Sequence, residues 1–186
     1  KASDTQIAFW MRDLIDITLL DYIFSQQDRI GNIDYTKIWI SKDGPDIHYS
    51  KSRPQNDKQA IQIKRSHIND NDAGGHYAYA NFTKKTGMLE KIRHYNAGTY
   101  NKLMALEKDF NQQGARYQYL NETFGLTTKQ RDMIIKNTRL AANILRSNCR
   151  AGKLIFDLDP EQFYLSGKVT AVAQSCDPFP APAKPS

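Results

Sequence analysis

Between positions 3 and 27 the apolar residues Ile7, Trp10, Met11, Leu14, Ile15, Leu19, Tyr22 and Ile23 recur at helical spacing. The pattern predicts an amphipathic helix there, with Ser3 or Asp4 available as N-cap. The polar stretch SQQDRIGNIDY then breaks the period and reads as a tight loop. TKIWI (36–40) and QAIQIKRSHI (59–68) alternate apolar and polar side chains, as two paired strands do. Between them KDGPDIHYSKSRPQNDK is a Gly-, Pro- and charge-rich surface excursion.

After the second strand comes NDNDAGG, too acidic and glycine-rich for strand or helix, hence a second loop. The remainder reads as helical over about 86–95, 98–112, 115–124 and 128–149. In the last of these, Ile134, Thr138, Ala141, Ala142, Leu145 and Cys149 share a face and Thr127 or Thr128 can cap it. A short helical turn follows Asp159-Pro160, since Pro is tolerated in the first turn. The expected fold class is therefore mainly α with a small β-hairpin (α+β). A helical domain fills 1–166, and 167–186 is an extended proline-rich tail ending DPFPAPAKPS.

Composition agrees with a globular chain. Of 186 residues 40% are hydrophobic and 25% charged, and Asp and Arg interrupt every apolar run well before the roughly 20 positions a bilayer span needs. The first residues show no signal-peptide pattern, and the absence of an initial Met suits a processed piece of something longer. The net charge of +6 would suit an anionic partner. Its Lys and Arg are scattered with no dense basic block, which argues against a dedicated nucleic-acid surface. Cys149 and Cys176 are consistent either with one disulfide, which would favour an extracytoplasmic or secreted location, or with two free buried thiols. The Asn-x-Thr triplets at Asn81 and Asn121 are about as many as chance provides. His48, His67, His76 and His94 lack metal-ligand spacing, and no Ser or Cys nucleophile motif appears.

Two acidic loops carry the candidate chemistry. Asp28 sits just past the C-terminal end of the first helix, where the dipole disfavours another anion, so it needs a compensating group such as Arg29. Asp70 and Asp72 raise one another's pKa unless a cation intervenes, and such pairs often mark metal sites. Mg²⁺ suits their hard oxygens, while the missing later Glu argues against an EF-hand Ca²⁺ loop. The same run is also excellent turn material.

The stretches LIDITLLDYIFSQQDRIGNIDY and INDNDAGG, in that order and followed by helices, resemble the C-terminal lobe of the protein-kinase-like fold. The resemblance is to its atypical branches: the secreted Golgi casein-kinase-like family, the HipA-type kinases and the phosphoinositide kinases. It covers residues 5 to 110 or so and rests on two short motifs. It implies transfer of the ATP γ-phosphoryl group to a hydroxyl acceptor with Mg²⁺ or Mn²⁺. Asp28 would match the catalytic Asp, and Arg29 the Arg that ties the loop to neighbouring carboxylates or phosphate. Asn32 would match the metal-holding loop residue, and either Asp70 or Asp72 the metal-loop Asp, so these three would meet metal and nucleotide.

The sequence departs from that pattern in three ways. Asn32 lies four residues past Asp28 instead of five, so either the loop is shorter or Asp34 substitutes. Ile30 stands where a His is common. No Gly-rich loop or strand Lys precedes the first helix, so the expected partner is the chain's own N-terminal lobe or a chain supplying it. The alternative is a catalytically inactive, kinase-derived binding module or scaffold.

Overall fold

A computed structural model of the chain describes residues 2–26, 29, 33–55, 57–68 and 81–179. Its order of elements is α1 (Asp4–Phe24), β1 (Ile33–Asp43), β2 (Asp46–Ser50), β3 (Ile61–Ile68), α2 (Phe82–Lys85), α3 (Met88–Lys91), α4 (Ala97–Gln112), α5 (Ala115–Thr123), α6 (Thr128–Arg150) and α7 (Pro160–Ser166). This is an α+β fold, mainly helical, with one small antiparallel sheet in the order β2-β1-β3. No helix among the described residues is long and apolar enough to cross a membrane.

The capping chemistry sets the helix starts. The Ser3 hydroxyl accepts the Gln6 N–H at the start of α1. Thr127 and Gln130 form a reciprocal capping box on α6, and Asp159 caps α7 with Pro160 in its first turn.

Around α6 the main core gathers Leu19, Tyr22 and Ile23 of α1, Tyr100, Leu103 and Met104 of α4, and Ile134, Ala141 and Leu145 of α6. A smaller core joins Phe9 of α1 to Ile40 of β1 and Ile63 of β3, with Tyr164 of α7 against it. These clusters hold α1 between the helical layer and the sheet.

Three expectations change. First, the surface excursion contains β2, paired to β1 from Trp39↔Ser50 to Asp43↔Asp46 across a turn in which Gly44 has φ 58°. Second, the helix expected over 86–95 is α3 alone. Gly87 is left-handed before it, and beyond Ile92 the chain extends so that His94 bridges Ile155. Third, α1 does not bury a single apolar stripe. Gln6, Asp13 and Asp21 are buried, whereas Ile7, Met11 and Leu14 are exposed.

The buried polar positions of α1 finish the edge of β3. Gln6 Oε1 accepts the Lys64 N–H at 2.6 Å, and Gln6 Nε2 donates to the Lys64 carbonyl at 2.8 Å. Asp13 accepts the Ser66 N–H at 2.8 Å and the Arg65 guanidinium at 2.7 Å. An edge strand that would otherwise present unpaired backbone is thereby closed by side chains.

The tail after α7 packs on the helices. The Val172 N–H donates to the Phe156 carbonyl, Asn101 and Gln174 exchange amide hydrogen bonds, and Cys149 and Cys176 form a disulfide. Asp177 then accepts from Arg150 at 2.8 Å and Arg146 at 3.2 Å. The segment up to Phe179 carries no helix or strand after α7 and is tied down by these contacts.

Candidate functional site

The β1–β3 register fixes one end of the sheet. Ile33, the first residue of β1, is the Cα partner of Ile68, the last of β3. The start of β1 and the end of β3 therefore lie side by side, with partner Cα atoms roughly 5 Å apart. Asn81, where the chain re-enters the described structure, donates from Nδ2 to the Tyr22 carbonyl at 2.8 Å and to Ser25 Oγ at 3.1 Å. The last residue of β3 is thus paired with the first of β1, and Asn81 is fastened to the C-terminus of α1.

The C-terminus of α1 is built to receive these contacts. Ser25 caps it in the left-handed region with φ 55° and returns its N–H to the Asp21 carbonyl. From α6, the buried Asn137 donates to the Ile23 carbonyl at 2.9 Å and to Ser25 Oγ at 3.1 Å, and accepts from the Lys84 ammonium. Lys84 lies 5.1 Å from the centre of the Tyr22 ring. Burial and the nearby Lys136 pull its pKa down, while burial and Glu90 push the Tyr22 hydroxyl up to about 12. A cation here also offsets the partial negative charge of the helix end.

Arg29 closes over the last turn of α1. Its Nη2 donates to Asp21 Oδ1 at 2.6 Å, and its Nε contacts both carboxylate oxygens at 3.1 Å. Both side chains are largely buried. Among the described residues the remaining Nη1 is buried without a hydrogen-bond partner.

Of the residues singled out from the sequence, Arg29 is described. Asp28, Asn32, Asp70 and Asp72 lie outside the described residues, as does His76. Among the described residues no group of three His, Cys, Asp or Glu side chains could hold a metal ion. The oxygen donors of Asp70, Asp72 and Asn32 are hard ligands and suit Mg²⁺ by their chemistry. His94 is held through Nδ1 by Asp157 at 2.9 Å, a structural pairing at the edge of the helical layer.

Among the hollows elsewhere are two on the helical side. The larger, about 520 Å³, sits between α4 and α6 under the tail, with Arg146, Arg150 and Asp177 in its wall. The other, about 270 Å³, is an apolar groove between α1 and α7 bordered by Ile7, Met11, Phe163 and Val169. Neither is lined by the residues at the Ile33–Ile68 end of the sheet.

Asp21, Ser25 and Asn137 carried no periodic or motif signal as site residues, because each acts through a partner far along the chain or a full turn beyond i+4. Asn81 was visible only as part of a chance triplet. Its side chain instead caps α2, accepting the Lys84 N–H at 3.0 Å, while it joins that helix to α1. No protein-family model, curated protein or solved structure matches this chain.

Proposed function

We propose that this chain is the C-terminal catalytic lobe of an atypical kinase, transferring the γ-phosphoryl group of ATP to a hydroxyl acceptor. The observation that carries the reading is the Ile33↔Ile68 register. Asp28 precedes β1 in the sequence and Asp70 and Asp72 follow β3, so the two acidic stretches, some forty positions apart, flank strand ends that are paired with each other. Asn81, which follows the second stretch in the sequence, donates to the Tyr22 carbonyl near the end of α1. In this reading the two acidic segments face a common substrate. The Nη1 of Arg29, without a partner among the described residues, adds a buried cationic donor at the end of α1.

In this reading Asp28 accepts the proton of the acceptor hydroxyl as its oxygen attacks the γ-phosphorus. The new O–P bond forms while the bond from the γ-phosphorus to the β,γ-bridging oxygen breaks, and ADP leaves with that electron pair. Asn32 and Asp70 or Asp72 would hold Mg²⁺ or Mn²⁺, which supplies charge neutralisation on the phosphates. Arg29, next to Asp28 in the sequence, is fixed to α1 by Asp21. An upper lobe, from the same chain or another, completes the nucleotide site. The disulfide suits an extracytoplasmic setting.

The test is phosphoryl transfer from γ-labelled ATP, with Mg²⁺ or Mn²⁺, by the chain joined to or mixed with its N-terminal portion. Asp28→Ala should lower transfer by a factor of roughly 10² to 10⁴ with the fold intact. Metal-dependent stabilisation by ATP without transfer would instead favour the inactive binding module. Absence of both defeats the kinase reading.

A further inference from the structure

The two faces of the sheet differ. One carries Ile38, Ile40, Ile61 and Ile63 and is covered by Phe9 and Tyr164. By register and alternation, the other carries Tyr35, Lys37 and Trp39 from β1 beside Ser66, Lys64 and Gln62 from β3. Lys37 and Lys64 are direct cross-strand partners and both are exposed. Among the described residues neither side chain enters an ion pair. Like charges placed opposite one another weaken a sheet, so the pair gives the isolated fold nothing.

Aromatic rings flank this pair along the same strand. Tyr35 is 56% exposed with its ring 6.2 Å from that of Trp10. Trp39, on the other side, is half-buried with the Arg53 guanidinium 5.2 Å from its ring centroid. Same-face side chains step about 7 Å along a strand, so ring, ammonium and ring follow in order with a guanidinium over the second ring. The acids of the hairpin, Asp43 and Asp46, pair at its far tip.

We infer that this sheet face binds single-stranded nucleic acid. Charge complementarity selects an anionic polymer, and rings alternating with cations select one that offers π-faces as well as phosphates. A duplex stacks its bases inside and hides those faces, whereas an unpaired strand can lay them on Tyr35, on Trp39 or on the Arg53 plane. Positions 37, 53 and 64 are far apart in the sequence, and pairing of β1 with β3 is what turns scattered basic residues into a patch. The surface is independent of the phosphoryl-transfer proposal and is tested without ATP or metal.

The experiment is fluorescence anisotropy of the full chain with labelled oligothymidylate of roughly ten nucleotides. A duplex of equal length and inorganic polyphosphate serve as competitors, at low and high salt. The expected result is salt-sensitive binding of the oligonucleotide that neither competitor matches. The double variant Lys37→Gln/Lys64→Gln should weaken it by about tenfold or more and flatten the salt slope by about one to two. Trp39→Leu should weaken it with the slope unchanged. Both lysines are exposed, so the double variant tests the surface even where Trp39→Leu disturbs folding, as a thermal melt would show. The proposal is overturned if the oligonucleotide does not bind at low salt, if duplex or polyphosphate competes equally, or if the double variant binds as tightly as the parent.

Discussion

Arg29 holds Asp21 by a two-pronged contact, with Nη2 to Oδ1 at 2.6 Å and Nε within 3.1 Å of both oxygens, just past the end of the helix that carries the acid. The side chains are 14% and 8% exposed, so removing the cation strands a buried carboxylate. Arg29→Ala should therefore cost about 3–5 kcal/mol. Asp21→Asn/Arg29→Ala, which removes the stranded charge as well, should recover part of it. Urea denaturation of the two variants checks this, and equal losses would mean that the contact is not a coupled pair.

Asn137 joins α6 to the end of α1 and to Lys84. Asn137→Ala leaves the Ile23 carbonyl and the Lys84 ammonium without that partner in a buried place. The expected loss is about 1–3 kcal/mol in chemical denaturation. Hydrogen exchange should show the extra opening around 22–25 and 81–84, where Asn137, Ser25 and Asn81 share hydrogen bonds, and not evenly over the core.

Periodicity made the framework legible. The period of 3.6 from Ile7 to Ile23 gave α1, the alternation of 36–40 and 59–68 gave a strand pair, and Thr127 or Thr128 as cap marked the start of α6, where Thr127 is the N-cap. β2 was hidden because DIHYS lies on an edge with little burial and so lacks an apolar face. The 86–95 segment looked helical because its apolar spacing ignores Gly87, whose φ of 61° starts α3, and the backbone bonds that extend 92–95 against Ile155. At the site, the acidic residues and their order were readable. The Arg29–Asp21 contact, 8 positions apart across the end of α1, and the Ser25, Asn81 and Asn137 cluster, whose bonds join residues 56 and 112 positions apart, were not, since neither spacing leaves a periodic trace.

The disulfide closes a loop across 27 positions and pins the tail onto α6. In the chain-entropy picture a loop of this length is worth about 3–4 kcal/mol. Reduction, or Cys149→Ala/Cys176→Ala, should lower the thermal midpoint and loosen Asp177 from Arg146 and Arg150. Melting curves with and without reductant measure the first effect. Faster proteolysis near Ser175 measures the second. Unchanged curves would mean that the tail stays bound by hydrogen bonds alone.

Gln113 caps α4 in the left-handed region with φ 52°, which a side chain with a Cβ tolerates poorly. Its side chain is exposed and makes no hydrogen bond among the described residues, so Gln113→Gly removes strain without removing a contact. Net of the greater chain entropy of glycine, a gain of about 0.5–1 kcal/mol is expected. A lower denaturation midpoint would contradict it.

Alkaline pH should unfold the protein through its tyrosines. Burial pushes the hydroxyls of Tyr22 and Tyr100 up to about 12 from an ordinary value of 10.0, with Glu90 adding to the shift of Tyr22. Both side chains are buried, and Tyr100 donates to the Cys176 carbonyl at 2.7 Å. Burial holds Tyr95 still higher. Between these values the unfolded chain has lost protons that the folded one keeps, so ν_U is below ν_N and stability falls as pH rises. The contribution is intact below about pH 10 and is lost towards about pH 12, at about 1.4 kcal/mol per pH unit for each group. Lys84 opposes this. Its lowered pKa means the folded state binds fewer protons than the unfolded one below 10.5, so its penalty is relieved as pH rises. One lysine against three tyrosines leaves the net slope negative. Denaturant midpoints measured from pH 8 to 11.5 should therefore be flat at first and then decline. Tyr22→Phe should decline less steeply, and an equal slope in the variant would show that Tyr22 is not among the groups responsible.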